Sequence, residues 1–152
     1  MPEPLVVRRE THVAAPAATV FAFLTDPDKI MSWMGAEATT EAHPGGLYLL
    51  KGVGPRKRVA RGAFREVVPV HRLAYSFGWE GDEDMPPGSG LVEIDLIDQV
   101  GGTLVRMTHS GLPNETESAN HARGWAYFFD RLAIAAAGGD PGPVSVAPHA
   151  DA

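Results

Sequence analysis

In the run His121–Leu132 (HARGWAYFFDRL) and the turn after it, Trp125, Phe128, Phe129, Leu132 and Ala136 recur at i, i+3, i+4, i+7 and i+11. This spacing is one face of an α-helix carrying three large aromatics. A face of that kind has to be covered by apolar surface. Its cover must come from the alternating segments that precede it in the chain. A long aromatic helix laid on an antiparallel sheet encloses space, and what fills that space is the functional question.

The cover is legible between Ala36 and His109, where the hydrophobic period changes from helical to alternating. Turn signals fall at His43-Pro44-Gly45-Gly46, Val53-Gly54-Pro55, Val68-Pro69, Pro86-Pro87-Gly88-Ser89-Gly90 and Gly101-Gly102. They predict strands at about Leu47–Lys51, Val59–Val67, Arg72–Trp79, Leu91–Ile97 and Thr103–His109, with a weaker one at Glu37–Glu41. Leu73, Tyr75, Phe77 and Trp79 share one strand face, and Val105, Met107 and His109 share another. Connections this short make the sheet antiparallel. Ahead of it, Leu5–Val13 reads as a first strand. Pro16 suits the first turn of a helix that ends at Asp26-Pro27. A second short helix runs from Asp28 to Trp33, and Gly35 stops it. The closing helix is expected over Glu115–Ala137. The order is strand, two helices, about six strands, long helix, which is an α+β architecture of six to seven strands in all. Residues 1–137 are expected to form one domain. Residues 138–152, rich in Gly, Pro and Ala without periodicity, are expected to be a flexible tail.

Four segments carry a resemblance. They are Ala15-Pro16-Ala17-Ala18-Thr19-Val20-Phe21-Ala22-Phe23-Leu24-Thr25-Asp26-Pro27, Met31-Ser32-Trp33-Met34-Gly35, His43-Pro44-Gly45-Gly46-Leu47-Tyr48, and Thr108-His109-Ser110-Gly111-Leu112 with Gly124-Trp125. Together they resemble the SRPBCC or START-like superfamily, in the branch of the activator of heat-shock-protein ATPase homologues. The resemblance implies a helix-grip fold, a curved antiparallel sheet around the C-terminal helix. It also implies a cavity between the two. It leaves function open, since such folds serve lipid and hormone binders, cyclases and co-chaperones alike.

Composition narrows the classes. The net charge is −6, which argues against a general nucleic-acid surface, and no apolar run approaches the roughly 18 residues that span a bilayer. The absence of cysteine excludes disulfides, thiolate catalysis and cysteine zinc sites. No secretory pattern is present at the N-terminus, so a cytoplasmic location is expected. The six histidines show no metal-ligand spacing, and neither a nucleophile elbow nor a phosphate loop is present, so no cofactor and no metal are expected.

The expected occupant is a small apolar or aromatic molecule. Trp33, Phe64, Tyr75, Phe77, Trp79, Met107, His109, His121, Trp125 and Phe129 are its expected lining. The plain alternative is that these aromatics fill the core. His109 and His121 would orient a ligand or shuttle a proton, or else be structurally bonded histidines. Glu93 and Asp95 are expected on the solvent side of their strand, and the acidic loop from Gly81 to Pro87 is either a plain loop or a lid. Two other functions stay open. One is a co-chaperone-like or stress-response partner docking through Arg56–Arg65, with sheet edges that pair copies into a homodimer. The other is a cyclase or hydrolase using the cavity histidines.

Overall fold

The computed structural model describes residues 5–54 and 56–144. Ten elements follow in the order β1 (Leu5–Val13), α1 (Ala17–Thr25), α2 (Pro27–Met34), β2 (Glu37–Thr40), β3 (Leu47–Val53), β4 (Arg58–Val68), β5 (Arg72–Phe77), β6 (Gly90–Gln99), β7 (Gly102–Leu112) and α3 (Glu115–Ala136). The seven strands form one curved antiparallel sheet in the order β1-β7-β6-β5-β4-β3-β2. Its concave face holds α3. This is the helix-grip architecture.

Local chemistry sets the helix ends. Asp26 accepts hydrogen bonds from the amides of Asp28 and Lys29, with Pro27 at the first helical position, so α2 starts two donors better satisfied than a bare end. Gly35 ends it at φ 67°, a left-handed conformation that a Cβ disfavours. Asn114 caps α3 by accepting from the amide of Glu117.

The alternation along the strands decides which face is inward. Leu73, Tyr75 and Phe77 on β5, Val92, Ile94 and Leu96 on β6, and Val105, Met107 and His109 on β7 are all buried. They meet Trp125, Phe128, Phe129 and Leu132 of α3 in a single core. The opposite face is charged. Arg72 reaches Glu66 at 2.9 Å, Glu93 at 2.7 Å and Asp95 at 3.0 Å, and Arg106 reaches Glu10 at 2.6 Å. Glu93 and Asp95 therefore lie outside the helix–sheet interior, and an acid/base pair within it is ruled out.

One expectation needs correction. The fifth strand stops at Phe77 instead of Trp79. Beyond Phe77 the amide of Trp79 donates to the carbonyl of Met85 at 2.7 Å instead of to β6, and the 86–87 backbone presses on the face of Gly78, where a Cβ would lie 2.0 Å from the carbonyl oxygen of Pro86. Trp79 touches the sheet again only through a single bridge to Ala60. The segment just after α3, where the expected tail begins, makes contacts of its own. Arg131, itself 7% exposed, donates to the carbonyls of Pro141 (3.0 Å), Gly142 (2.8 Å) and Pro143 (3.3 Å), and to that of Trp33 (2.7 Å). Residues 141–143 are thereby folded back onto the α2–α3 junction, where Val144 packs on Gly35. The remainder of the expected tail, residues 145–152, lies outside the described residues.

Candidate ligand cavity between the sheet and the closing helix

The grip is uneven along α3. The helix packs closely on β1 and on α2, whereas its N-terminal half stands off the β3–β4 side of the sheet. A cavity lies in that gap. Met34 of α2, Tyr48, Leu50 and Val53 of β3, Ala60 of β4, Phe77 and Trp79 around the end of β5, and His121, Gly124, Trp125 and Phe128 of α3 form its wall. Nearly all of the exposed wall is apolar. The enclosed volume is about 30 Å³, and the whole funnel with its open mouth is about 380 Å³. The first figure accommodates a water molecule, whereas small-molecule pockets enclose roughly 300–1,000 Å³.

Four of the ten residues expected to line the site stand on this wall: Phe77, Trp79, His121 and Trp125. The other six lie beside or beneath it. Trp33 donates its indole N–H to the carbonyl of Phe23 at 2.8 Å and meets Phe129 edge-on at 6.3 Å. Phe64 and Tyr75 pack with Tyr48, whose ring stacks on Tyr75 at 3.9 Å. Met107 is fully buried, and His109 sits under Phe77 and Trp125. Three of the wall residues left out of the expected lining are Tyr48, Leu50 and Phe128. Their signals were present, since Tyr48 and Leu50 alternate on β3 and Phe128 belongs to the aromatic stripe of α3.

The histidines are the polar centre of this region, and both are committed. The indole N–H of Trp79 donates to Nε2 of His121 at 3.1 Å. An indole can only donate, so this nitrogen is unprotonated and the proton sits on Nδ1. From there it is donated to the carbonyl of Glu117 at 2.7 Å. Likewise Trp125 donates to Nδ1 of His109 at 3.0 Å, which places the His109 proton on Nε2. Among the described residues that N–H has no partner, and it faces Gly90, where a Cβ would come within 3.1 Å of the nitrogen. The two imidazoles lie edge-to-face, 5.4 Å apart.

This arrangement keeps both rings neutral. Burial, reinforced by the neighbouring His121, pulls His109 down to about 3. Burial also lowers His121, with Arg58 adding to the effect and Glu117 and Asp82 opposing it. Burial pushes the Tyr48 hydroxyl up to about 12, although its hydrogen bond to Tyr75 acts the other way. As placed, His121 has no ring nitrogen left for a ligand, and Nδ1 of His109 is taken by Trp125. Ligand orientation or proton transfer by Nε2 of His121 or Nδ1 of His109 would first require an indole to leave.

The acidic loop after Trp79 is anchored. Asp82 accepts from the amides of Asp84 and Met85, Met85 is fully buried, and its carbonyl accepts from the amide of Trp79 at 2.7 Å. The same loop region neutralises part of the basic segment. Arg58 pairs with Asp82 at 2.7 Å, its guanidinium lying 4.2 Å from the Trp79 ring centre, and Arg61 pairs with Glu80 at 2.5 Å. Among the described residues, no group of three or more histidine or carboxylate side chains is placed to hold a metal ion. No helix there is long and apolar enough to cross a membrane.

With this geometry in view, known proteins give a consistent picture. The family model described as Activator of Hsp90 ATPase homolog 1-like protein matches residues 14–137. An AHSA1-like protein from Rhizobium etli, solved by NMR, is 65% identical over 94% of this chain and 88% of its own, with a TM-score of 0.75. CalU16 from Micromonospora echinospora is 25% identical over 90% of this chain and 86% of its own, with a TM-score of 0.69. The Aha1 dimer from Colwellia psychrerythraea, at 18% identity, shares the fold over 88% of this chain and 97% of its own, with a TM-score of 0.75. No functionally curated protein matches the chain.

Proposed function

This chain belongs to the Activator of Hsp90 ATPase homolog 1-like family, and we propose that within it the protein binds a small apolar or aromatic molecule between its sheet and the N-terminal half of α3. The observation that carries this reading is the apolar, incompletely closed wall formed by Met34, Leu50, Phe77, Trp79, Trp125 and Phe128. Burying a ligand there removes apolar surface from water at about 25 cal/mol per Å². The enclosed volume is far below that of a ligand, so binding has to widen the gap. The N-terminal half of α3 and the β3–β4 hairpin are the parts that can separate, because little of the core lies between them. Native mass spectrometry of the purified protein tests the proposal. A co-purifying molecule of a few hundred daltons, lost on organic extraction, is the expected result. Protein that is bare from several expression hosts, and that takes up no apolar compound, would contradict it.

The family's description favours a second reading, a protein-interaction role. The segment Arg56–Arg65 would have to exchange its ion pairs to Asp82 and Glu80 for pairs to a partner. Charge reversal at Arg56, Arg58 and Arg61 together, followed by pull-down, tests this, and an unchanged set of partners counts against it. The same native spectra read the subunit count and so test for a homodimer like the one described for the Colwellia protein.

A further inference from the structure

The ligand-binding reading leaves the class of ligand open, and the hydrogen bonds around the cavity restrict it. Side-chain N–H and O–H groups on the wall come from Trp79, Trp125, His121 and Tyr48. The three ring N–H groups are engaged within the protein: Trp79 with His121, Trp125 with His109 and His121 with Glu117, while the Tyr48 oxygen accepts from the Tyr75 hydroxyl. A ligand hydroxyl or carbonyl entering this space meets an almost wholly apolar wall with no ring N–H free to bond it, and it loses its bonds to water, which is unfavourable wherever a polar group is buried unpaired.

We infer that the buried part of the ligand is a hydrocarbon or an unsubstituted aromatic, with any polar group held outside the mouth. We further infer that His109 and His121 set this specificity by occupying the two indole N–H groups. The histidines thus act as specificity-determining residues through the tryptophans and without touching the ligand. Removing the imidazole of His121 would hand the cavity a free donor, the Trp79 N–H. Removing the indole nitrogen by Trp79→Phe would hand it a free acceptor, His121 Nε2. The two changes should therefore shift preference in opposite chemical directions, which a merely structural role for either residue would not produce.

The test uses matched aromatic compounds of nearly equal shape, with Kd measured by titration: methylnaphthalene against naphthol, and isopropenylnaphthalene against acetylnaphthalene. The unaltered protein is expected to bind the hydrocarbon of each pair about ten-fold or more tightly than its polar partner. In His121→Leu the penalty on acetylnaphthalene should shrink several-fold, and that on naphthol, whose O–H still lacks an acceptor, should shrink less. In Trp79→Phe the penalty on naphthol should shrink while that on acetylnaphthalene stays. Equal binding of naphthol and methylnaphthalene by the unaltered protein would overturn the inference without any variant, as would ratios that fail to move in folded variants. The inference rests on the ligand-binding reading, and the outcomes separate the two. If none of the four compounds binds, that reading fails and takes the inference with it, whereas binding without discrimination sinks the inference alone.

Discussion

The C-terminal half of α3 and its N-terminal half are held against the rest of the molecule by different means. In the C-terminal half, Phe129 and Leu132 have no exposed surface, Trp33 packs edge-on against Phe129, and Arg131 ties the helix to α2 and to residues 141–143. In the N-terminal half, His121 and Trp125 stand on a cavity wall that Phe128 continues just past the helix midpoint, and two indole-to-imidazole hydrogen bonds fix the aromatic rings. Close packing leaves no room to choose a ligand. Directional bonds hold rings in place where packing is incomplete, and they determine what chemistry the space presents. The same aromatic stripe thus serves as core at one end and as a shaped surface at the other.

Substitutions that act on one half and spare the other sharpen this contrast. Phe129→Ala should be the most damaging, lowering stability in urea unfolding by about 3–5 kcal/mol, since it removes a fully buried ring from the packed half. A loss under about 1 kcal/mol would mean that half is not close-packed. Arg131→Met should cost about 2 kcal/mol by leaving the Trp33 carbonyl without its donor. It should also raise amide exchange in residues 138–144 without moving the Trp79 or Trp125 indole signals.

Acid should weaken the open half through its histidines. In the unfolded chain each titrates near about 6.5, whereas in the fold burial lowers both, His109 to about 3. The neutral-ring stability is therefore fully present above about pH 6.5 and is lost as pH falls below it, at up to about 1.4 kcal/mol per pH unit per histidine, the loss from His109 continuing down to about pH 3. A His109→Gln, His121→Gln double variant should lose most of this slope, and an unchanged slope would place the titration elsewhere. The smallest effect is expected for Gly124→Ala. Replacing a mid-helix glycine should add up to about 1 kcal/mol of stability, while its methyl group narrows the cavity and weakens apolar ligands.

Much of this contrast was legible in the sequence, for a physical reason. Periodicity records burial, so the stripe of α3 and the inward residues of β5 and β7 could be assigned to faces. The division of labour within the stripe was partly legible too, because His121 and Trp125 are polar-tipped and Phe129 and Leu132 are not. The pairing of each histidine with a particular indole was not. Trp79 and His121 are 42 residues apart, and only the closed sheet brings them together. Periodicity marks His109 as inward-facing but is silent on whether it reaches a cavity or lies beneath another ring. The Arg131 clamp was invisible for a different reason. An arginine on a helix reads as solvated, and a Gly/Pro segment carries no pattern to show that its carbonyls have found a donor.

The central claim is that ligand enters the open half of the grip, and the three tryptophans report on it directly. Trp79 and Trp125 stand on the cavity wall, whereas Trp33 lies in the packed half with its N–H on the Phe23 carbonyl. An NMR titration of the indole N–H resonances with methylnaphthalene should move the Trp79 and Trp125 signals in a saturable way and leave Trp33 in place. Equal movement of all three, or movement of Trp33 alone, would contradict the account.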